Sequence, residues 1–119
     1  MATLDRLKQR RDFQRLNAHG RKFVTRSMVM LIMNQTPLLP EPTCRLGFTT
    51  TRKLGNAVMR NRIRRRLREA ARVVFSAQGK QGHDYVIIAR PAALDRPFNE
   101  LQGDMRFALK HLHRESSAI

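Results

Sequence analysis

Between Asn56 and Ser76 the chain contains neither Gly nor Pro, so a single helix of about twenty residues can run through it unbroken. Gly55-Asn56 ahead of it supplies a turn and an N-cap, since an Asn side-chain oxygen can accept an orphan backbone N–H there. Six of the nine residues from Arg60 to Arg68 are arginine. At helical spacing Met59, Ile63, Leu67, Ala70 and Val74 share one face, with Ala71 and Val73 on its shoulders. Asn61, Arg64, Arg65, Arg68 and Arg72 lie opposite, and Arg62 sits on one flank beside Glu69. Arg60 and Arg66 border the apolar stripe, where long stems can lie on hydrophobic surface while the heads reach out. The helix must therefore bury one face and present a dense cationic face to water.

That cationic face lacks internal compensation. Glu69 is the one acid available to the seven arginines from Arg60 to Arg72. Like charges at i,i+4, such as Arg60/Arg64 and Arg64/Arg68, oppose the isolated helix by a few tenths of a kcal/mol each. A self-repelling face implies an anionic partner, and arginine in place of lysine favours forked acceptors such as phosphates and base edges. The whole chain agrees: 24 basic residues, mostly Arg, stand against 9 acidic ones, for a net charge of +15 on 119 residues. Such a balance points to nucleic acid first and an anionic membrane second. An arginine helix in a DNA major groove is a further option, but the arginines span a wide arc and no dimer element is visible. No apolar run approaches the length of a bilayer span, and the first residues lack the apolar core of a signal peptide. The single Cys44 leaves no intramolecular disulfide and no cysteine zinc site. A cytoplasmic location is the default expectation.

Ala57, Arg60-Asn61-Arg62, Ile63, Arg64-Arg65, Leu67 and Arg68 form a pattern that resembles the signature of the protein subunit of bacterial ribonuclease P. Every position of that signature is filled, and the resemblance extends from about residue 4 to residue 112. It implies an RNA-binding surface made of Lys53, Asn56, Arg60, Asn61, Arg62, Arg64, Arg65, Arg68 and Arg72. It also implies a second surface, a cleft for the 5′ leader of precursor tRNA, at Phe13, Leu31, Thr49 and Thr51.

The remaining segments read as support. Residues 4–19 suggest a basic helix ended by Gly20, with Leu4, Leu7 and Leu16 packing and Arg6, Lys8, Arg10, Arg11 and Arg15 outward. Phe13 falls off that stripe and has two readings of equal weight: packing on a sheet, or stacking on a base of a single strand. Asn17 and Leu31 stand where the resembled family often has aromatics. Residues 22–34, apolar in both phases beyond Ser27, suggest one strand covered on both faces for part of its length. Residues 36–42, with three prolines, suggest a loop. Residues 44–52 suggest a second strand, Leu46 and Phe48 on one side and Gly47, Thr49 and Thr51 on the other. The second side suits either a solvated sheet face or the close approach of a backbone.

After the arginine helix, residues 76–83 read as a loop and residues 85–89 as a short buried strand closed by Pro91. Strand, helix, strand is the grammar of a crossover unit, and the resemblance implies an unusual left-handed one of the ribosomal-protein type. Residues 95–97 start a last helix with Phe98, Leu101, Met105, Ala108, Leu109 and Leu112 on its packing face. Gly103 in its middle costs about 1 kcal/mol, and the tail from Arg114 is expected to fray. Together these give one α+β domain over residues 1–119 in the order α-β-β-β-α-β-α, with a central sheet and an arginine-rich crossover helix. The third strand of that order is not separately visible.

A nuclease acting alone would need a carboxylate cluster for two metals or a His pair with a Lys. The five Asp and four Glu are scattered, and His19, His83, His111 and His113 read as structural or surface residues. No catalytic residue is therefore assigned, and no metal ligand. The resemblance implies catalysis by an RNA subunit that requires Mg²⁺, with ribonuclease P RNA and the precursor tRNA leader as partners and neither a membrane nor a small-molecule substrate. The alternative reading is a ribosomal or general RNA-binding protein with no enzyme role. The two differ in whether the chain associates with one RNA or with ribosomes.

Overall fold

Asn56 accepts the Met59 N–H on its side-chain oxygen at 2.9 Å and opens helix α2, Ala57–Gln78. Gly55 just before it has φ of +132°, and a Cβ there would come within 2.7 Å of the Met59 sulfur, so the entry turn requires glycine. Ile63, Leu67, Ala70, Ala71, Val74 and Phe75 are the buried face of α2. Val73, on the other shoulder, is half exposed.

The structure, a computed structural model, describes residues 4–35 and 43–117; the expected proline loop at 36–42 lies outside them. In chain order the elements are β1 (Leu4–Arg6), α1 (Arg10–His19), β2 (Arg21–Val24), β3 (Met28–Asn34), β4 (Cys44–Thr49), α2, β5 (His83–Ala89) and α3 (Phe98–Ser117). Short 3₁₀ turns at Arg52–Leu54 and Pro91–Leu94 flank the crossover. The strands make one mixed sheet in the order β1-β4-β5-β3-β2, in which β4 is parallel to both β1 and β5. Helix α2 is thus the crossover between parallel neighbours. On one face, α2 and α3 pack against Met28, Met30, Ile32, Leu46, Tyr85 and Ile87. On the other face, Leu7 and Leu16 meet Leu31 and Val86, with Phe13, Met33 and Ile88 around them. Strand β3 is covered on both sides, as its doubly apolar pattern predicts.

Three expectations need correction. The single strand over 22–34 is a hairpin: Thr25 bonds Met28 through its backbone N–H (2.8 Å) and its hydroxyl (3.0 Å), reversing the chain. Ser/Thr hydroxyls make such turns without Gly or Pro, and this hairpin supplies the third strand. The expected helix over 4–19 begins only at Arg10, because residues 4–6 pair with β4 as a parallel edge strand. Leu4 is consequently exposed and not a packing residue. The chain order is therefore β-α-β-β-β-α-β-α. Phe98 is also exposed, whereas Leu101, Met105, Ala108, Leu109 and Leu112 are buried as predicted.

Asp84 of β5 is fully buried. Its cross-strand neighbour Arg45 grips it with both forks, at 2.7 and 2.6 Å. Gln35 donates to the same carboxylate at 3.1 Å and Arg15 of α1 at 3.4 Å. Arg45 also reaches Asp12 at 3.8 Å, so this network fastens α1 to the sheet. Next to Asp84, on the α3 side of β5, the Lys80 N–H donates to the Tyr85 hydroxyl at 3.2 Å, and that hydroxyl shares a hydrogen bond with His113 Nε2 at 2.8 Å. Burial, then Lys80, His83 and Arg21, hold the His113 imidazole down at about 4.

Removing one partner of a buried ion pair leaves the other charge uncompensated, which costs about 3–5 kcal/mol. Arg45 keeps 20% of its side chain exposed, so Asp84→Ala should lose about 3 kcal/mol, the lower end of that range, in urea unfolding. His113 gives a pH signature. The unfolded chain takes up this proton near pH 6.5, whereas the folded chain resists until about 4, so stability is full above 6.5 and falls as the pH drops between those values. The melting temperature of wild type should fall more steeply over that window than that of His113→Gln. Parallel curves would remove His113 as the cause.

Candidate nucleic-acid interface

Helical phase sorts the arginines of α2 by what their heads touch. Arg62, Arg65, Arg68 and Arg72 are exposed, as are Lys53, Asn56 and Asn61. Arg72 pairs with Glu69 at 2.9 Å on the surface; Arg62, Arg65 and Arg68 have no carboxylate partner among the described residues. Arg64 is half-buried, donating to Asn61 at 3.0 Å and to the Thr50 hydroxyl at 2.5 Å. Arg60 is half-buried too, with its Nε out of water. Arg66 donates to the carbonyls of Ala93 and Arg96 and so holds the turn after β5 against α2. The oxygen of Asn56 is committed to the helix cap, which leaves its amide NH₂ for a ligand.

A groove of about 470 Å³ opens beside this helix. It is lined by Arg6 and Phe13, by Gly47 and Phe48 of β4, and by Arg64, Arg68 and Arg72 of α2, with the carboxylates of Asp5 and Glu69 also on its wall. Strand β1 stops pairing at Leu46, so the edge of β4 beyond it is open. The sequence separates an arginine surface from an aromatic cleft; in the fold Phe13 and the arginines line one concavity. Arg6 and Phe48 were missed, because only the non-local pairing of β1 with β4 brings them together.

The other expected cleft residues are placed differently. Leu31 is buried among Leu16, Leu7 and Val86 beneath α1 and cannot present its side chain to a ligand. Thr49 is half-buried at the end of β4, and Thr51 is exposed ahead of the Arg52–Leu54 turn; neither lines the groove. The Phe13 ring sits where a side chain on Gly47 would be, since a Cβ there would come within 2.4 Å of it. Phe13 therefore packs on the sheet and also faces the groove.

Among the described residues no three His, Cys, Asp or Glu side chains converge as a metal site requires. Asp84 and Asp104 are each held by a guanidinium. The Cys44 thiol is pushed up to about 12 by burial and then by Asp84, so it stays protonated and un-nucleophilic. His111 stacks on Phe23 at 4.5 Å, while His113 bonds Tyr85. Among the described residues, no helix is long and apolar enough to cross a membrane.

A mixed five-stranded sheet carrying an uncompensated arginine helix beside an open groove defines a small α+β nucleic-acid-binding protein. Its sequence matches the Ribonuclease P family over residues 1–113, and the chain belongs to that family. A ribonuclease P protein component of Paramagnetospirillum magneticum is 44% identical over 112 residues, covering 93% of this chain and 84% of that protein. One from Symbiobacterium thermophilum is 47% identical over 97 residues, covering 82% and 81%. The solved RNase P protein of Staphylococcus aureus superposes with a TM-score of 0.74 at 33% identity, covering 89% of this chain and 93% of that one. That of Thermotoga maritima gives 0.73 at 27% identity, covering 92% and 96%.

Gly47→Ala tests the packing at the groove. Its methyl must displace the Phe13 ring, so the variant should lose about 1–3 kcal/mol, as overpacked sites do. Gly47→Ala combined with Phe13→Leu should recover part of that loss in thermal unfolding. No recovery would mean that the two residues do not share one space.

Proposed function

We propose that this protein serves as the protein subunit of a ribonucleoprotein ribonuclease P, assisting removal of 5′ leaders from precursor tRNA in the cytoplasm. The observation that carries this reading is the continuity of the groove holding Phe13 with the arginine face of α2, in a chain of this family. Arg62 and Arg65, outside the groove, engage phosphates of the ribonuclease P RNA, with Lys53, Asn56, Arg60 and Asn61 beside them. Arg64, Arg68 and Arg72 meet the leader where it passes Phe13 and the open edge of β4 near Thr49. The chemistry belongs to the RNA, which also holds the Mg²⁺. The protein's carboxylates are scattered or tied up in ion pairs, so its part is to neutralise phosphate and position the substrate. Neither a membrane nor a small-molecule substrate enters this scheme.

Reconstitution with a bacterial ribonuclease P RNA at limiting Mg²⁺ tests it: the protein should restore cleavage of precursor tRNA. Arg62→Ala/Arg65→Ala should weaken binding to the catalytic RNA and flatten log K against log salt by about 0.7–0.9 per lost phosphate contact. Its melting temperature should stay unchanged, since both side chains are exposed. Arg68→Ala/Arg72→Ala should instead weaken precursor tRNA relative to mature tRNA on the assembled enzyme. Equal losses for the two tRNAs would remove the groove from leader binding, and no stimulation of cleavage by wild type would remove the function.

A further inference from the structure

Phe107 of α3 is 55% exposed. It is nevertheless held in place: its ring centre lies 5.5 Å from that of Phe23 and 5.4 Å from that of His111. The same ring lines an open groove of about 560 Å³ with Gln78 of α2 and Gly103, Arg106, Lys110 and His113 of α3. None of the arginines of α2 lines it, so this surface is separate from the groove beside Phe13. Arg106 and Lys110 are exposed, and among the residues whose side chains are described neither pairs with a carboxylate. Glu100 and Asp104, the acids that precede them on α3, are taken up by Arg96 at 3.6 and 2.6 Å. Gly103 weakens the helix, and no packing requires it, because a Cβ there would meet nothing within 4 Å. Its effect is a bare stretch of helix beside an aromatic ring and two uncompensated cations.

We propose that this groove is a second RNA site, taking a single-stranded segment with one base stacked on Phe107 and the adjoining phosphates on Arg106 and Lys110. A pre-positioned ring offers a stacking surface to any unpaired base, and the neighbouring cations suit the sugar-phosphate backbone beside it. Duplex RNA presents no free base face to such a ring. A second copy of the chain fits poorly, since a two-fold contact would set Arg106 and Lys110 against their own equivalents.

The chain contains no Trp, so Phe107→Trp in the full-length protein places a single indole reporter in the groove. A short oligouridylate should quench that indole, whereas base-free polyphosphate should not. Phe107→Leu, which keeps bulk but loses the stacking face, should bind the oligouridylate at least about fivefold more weakly with an unchanged melting temperature. Arg106→Ala/Lys110→Ala should flatten the salt dependence of the same binding. To keep α2 and the groove beside Phe13 from competing for the probe, the measurements use an Arg62→Ala/Arg65→Ala/Arg68→Ala/Arg72→Ala background. Equal quenching by polyphosphate, wild-type affinity in Phe107→Leu, or loss of a self-association in sedimentation on Phe107→Leu would each overturn the proposal. The assay reads oligonucleotide binding to the protein alone, so its outcome is independent of precursor tRNA cleavage.

Discussion

Everything in this fold answers to one constraint: α2 carries seven arginines and one acid between Arg60 and Arg72, and must still pack. The free segment repels itself along its polar side, so tertiary burial, not helix propensity, holds it together. Two layers supply that burial. The sheet takes Ile63, Leu67 and Phe75, and α3 closes the remaining side through Leu101, Met105 and Leu109. Charge is segregated by the same geometry, since whatever lies off the buried stripe has only water or a partner to face.

Not every arginine is left to a partner. Arg66 binds two backbone carbonyls, and Arg45 and Arg96 grip buried or half-buried carboxylates. Guanidinium forks suit these tasks because they satisfy two acceptors in one plane. The chain thus uses arginine in two distinct roles, as internal cross-link and as exposed cation. Burial and partners tell them apart where sequence does not. The groove follows from a second economy: β1 is only three residues long, so it covers half of β4 and leaves Gly47 to Thr49 as an open edge. A longer β1 would close the sheet edge and the concavity with it.

Local signals made α2 legible. Its cap at Asn56, its glycine at position 55 and its apolar phase all lie within the segment that they describe, and all appear in the structure. Arg65, Arg68 and Arg72 were readable as exposed for the same reason, whereas Arg64, assigned to the same face, is half-buried against Thr50. Elements defined across the sequence were not. The turn at Thr25 is closed by a hydroxyl and carries no Gly or Pro, so β2 and β3 read as one strand. Residues 4–6 have helical-looking composition, and only pairing with Cys44–Leu46 makes them a strand. Leu31 lies on β3, two strands inward from the open edge of β4 and beneath α1, a position that periodicity cannot report. The hydrogen bond from Arg64 to Thr50 likewise depends on where β4 ends relative to α2.

The balance of charge and burial also explains why the exposed cations lie where they do. Ion pairs fasten α1 through Asp84 and α3 through Asp104, consuming the acids that might otherwise have screened the arginines. Carboxylates serve the interior joints, and the surfaces of α2 and α3 keep an excess of cation. Folding and charge display are therefore one arrangement: each acid that secures a joint is unavailable to the cationic faces. With a net charge of +15, the compact state carries self-repulsion that bound phosphate relieves. Any polyanion that binds only the folded chain therefore stabilises it by mass action. Affinity for RNA and stability of the fold are two readings of the same uncompensated charge.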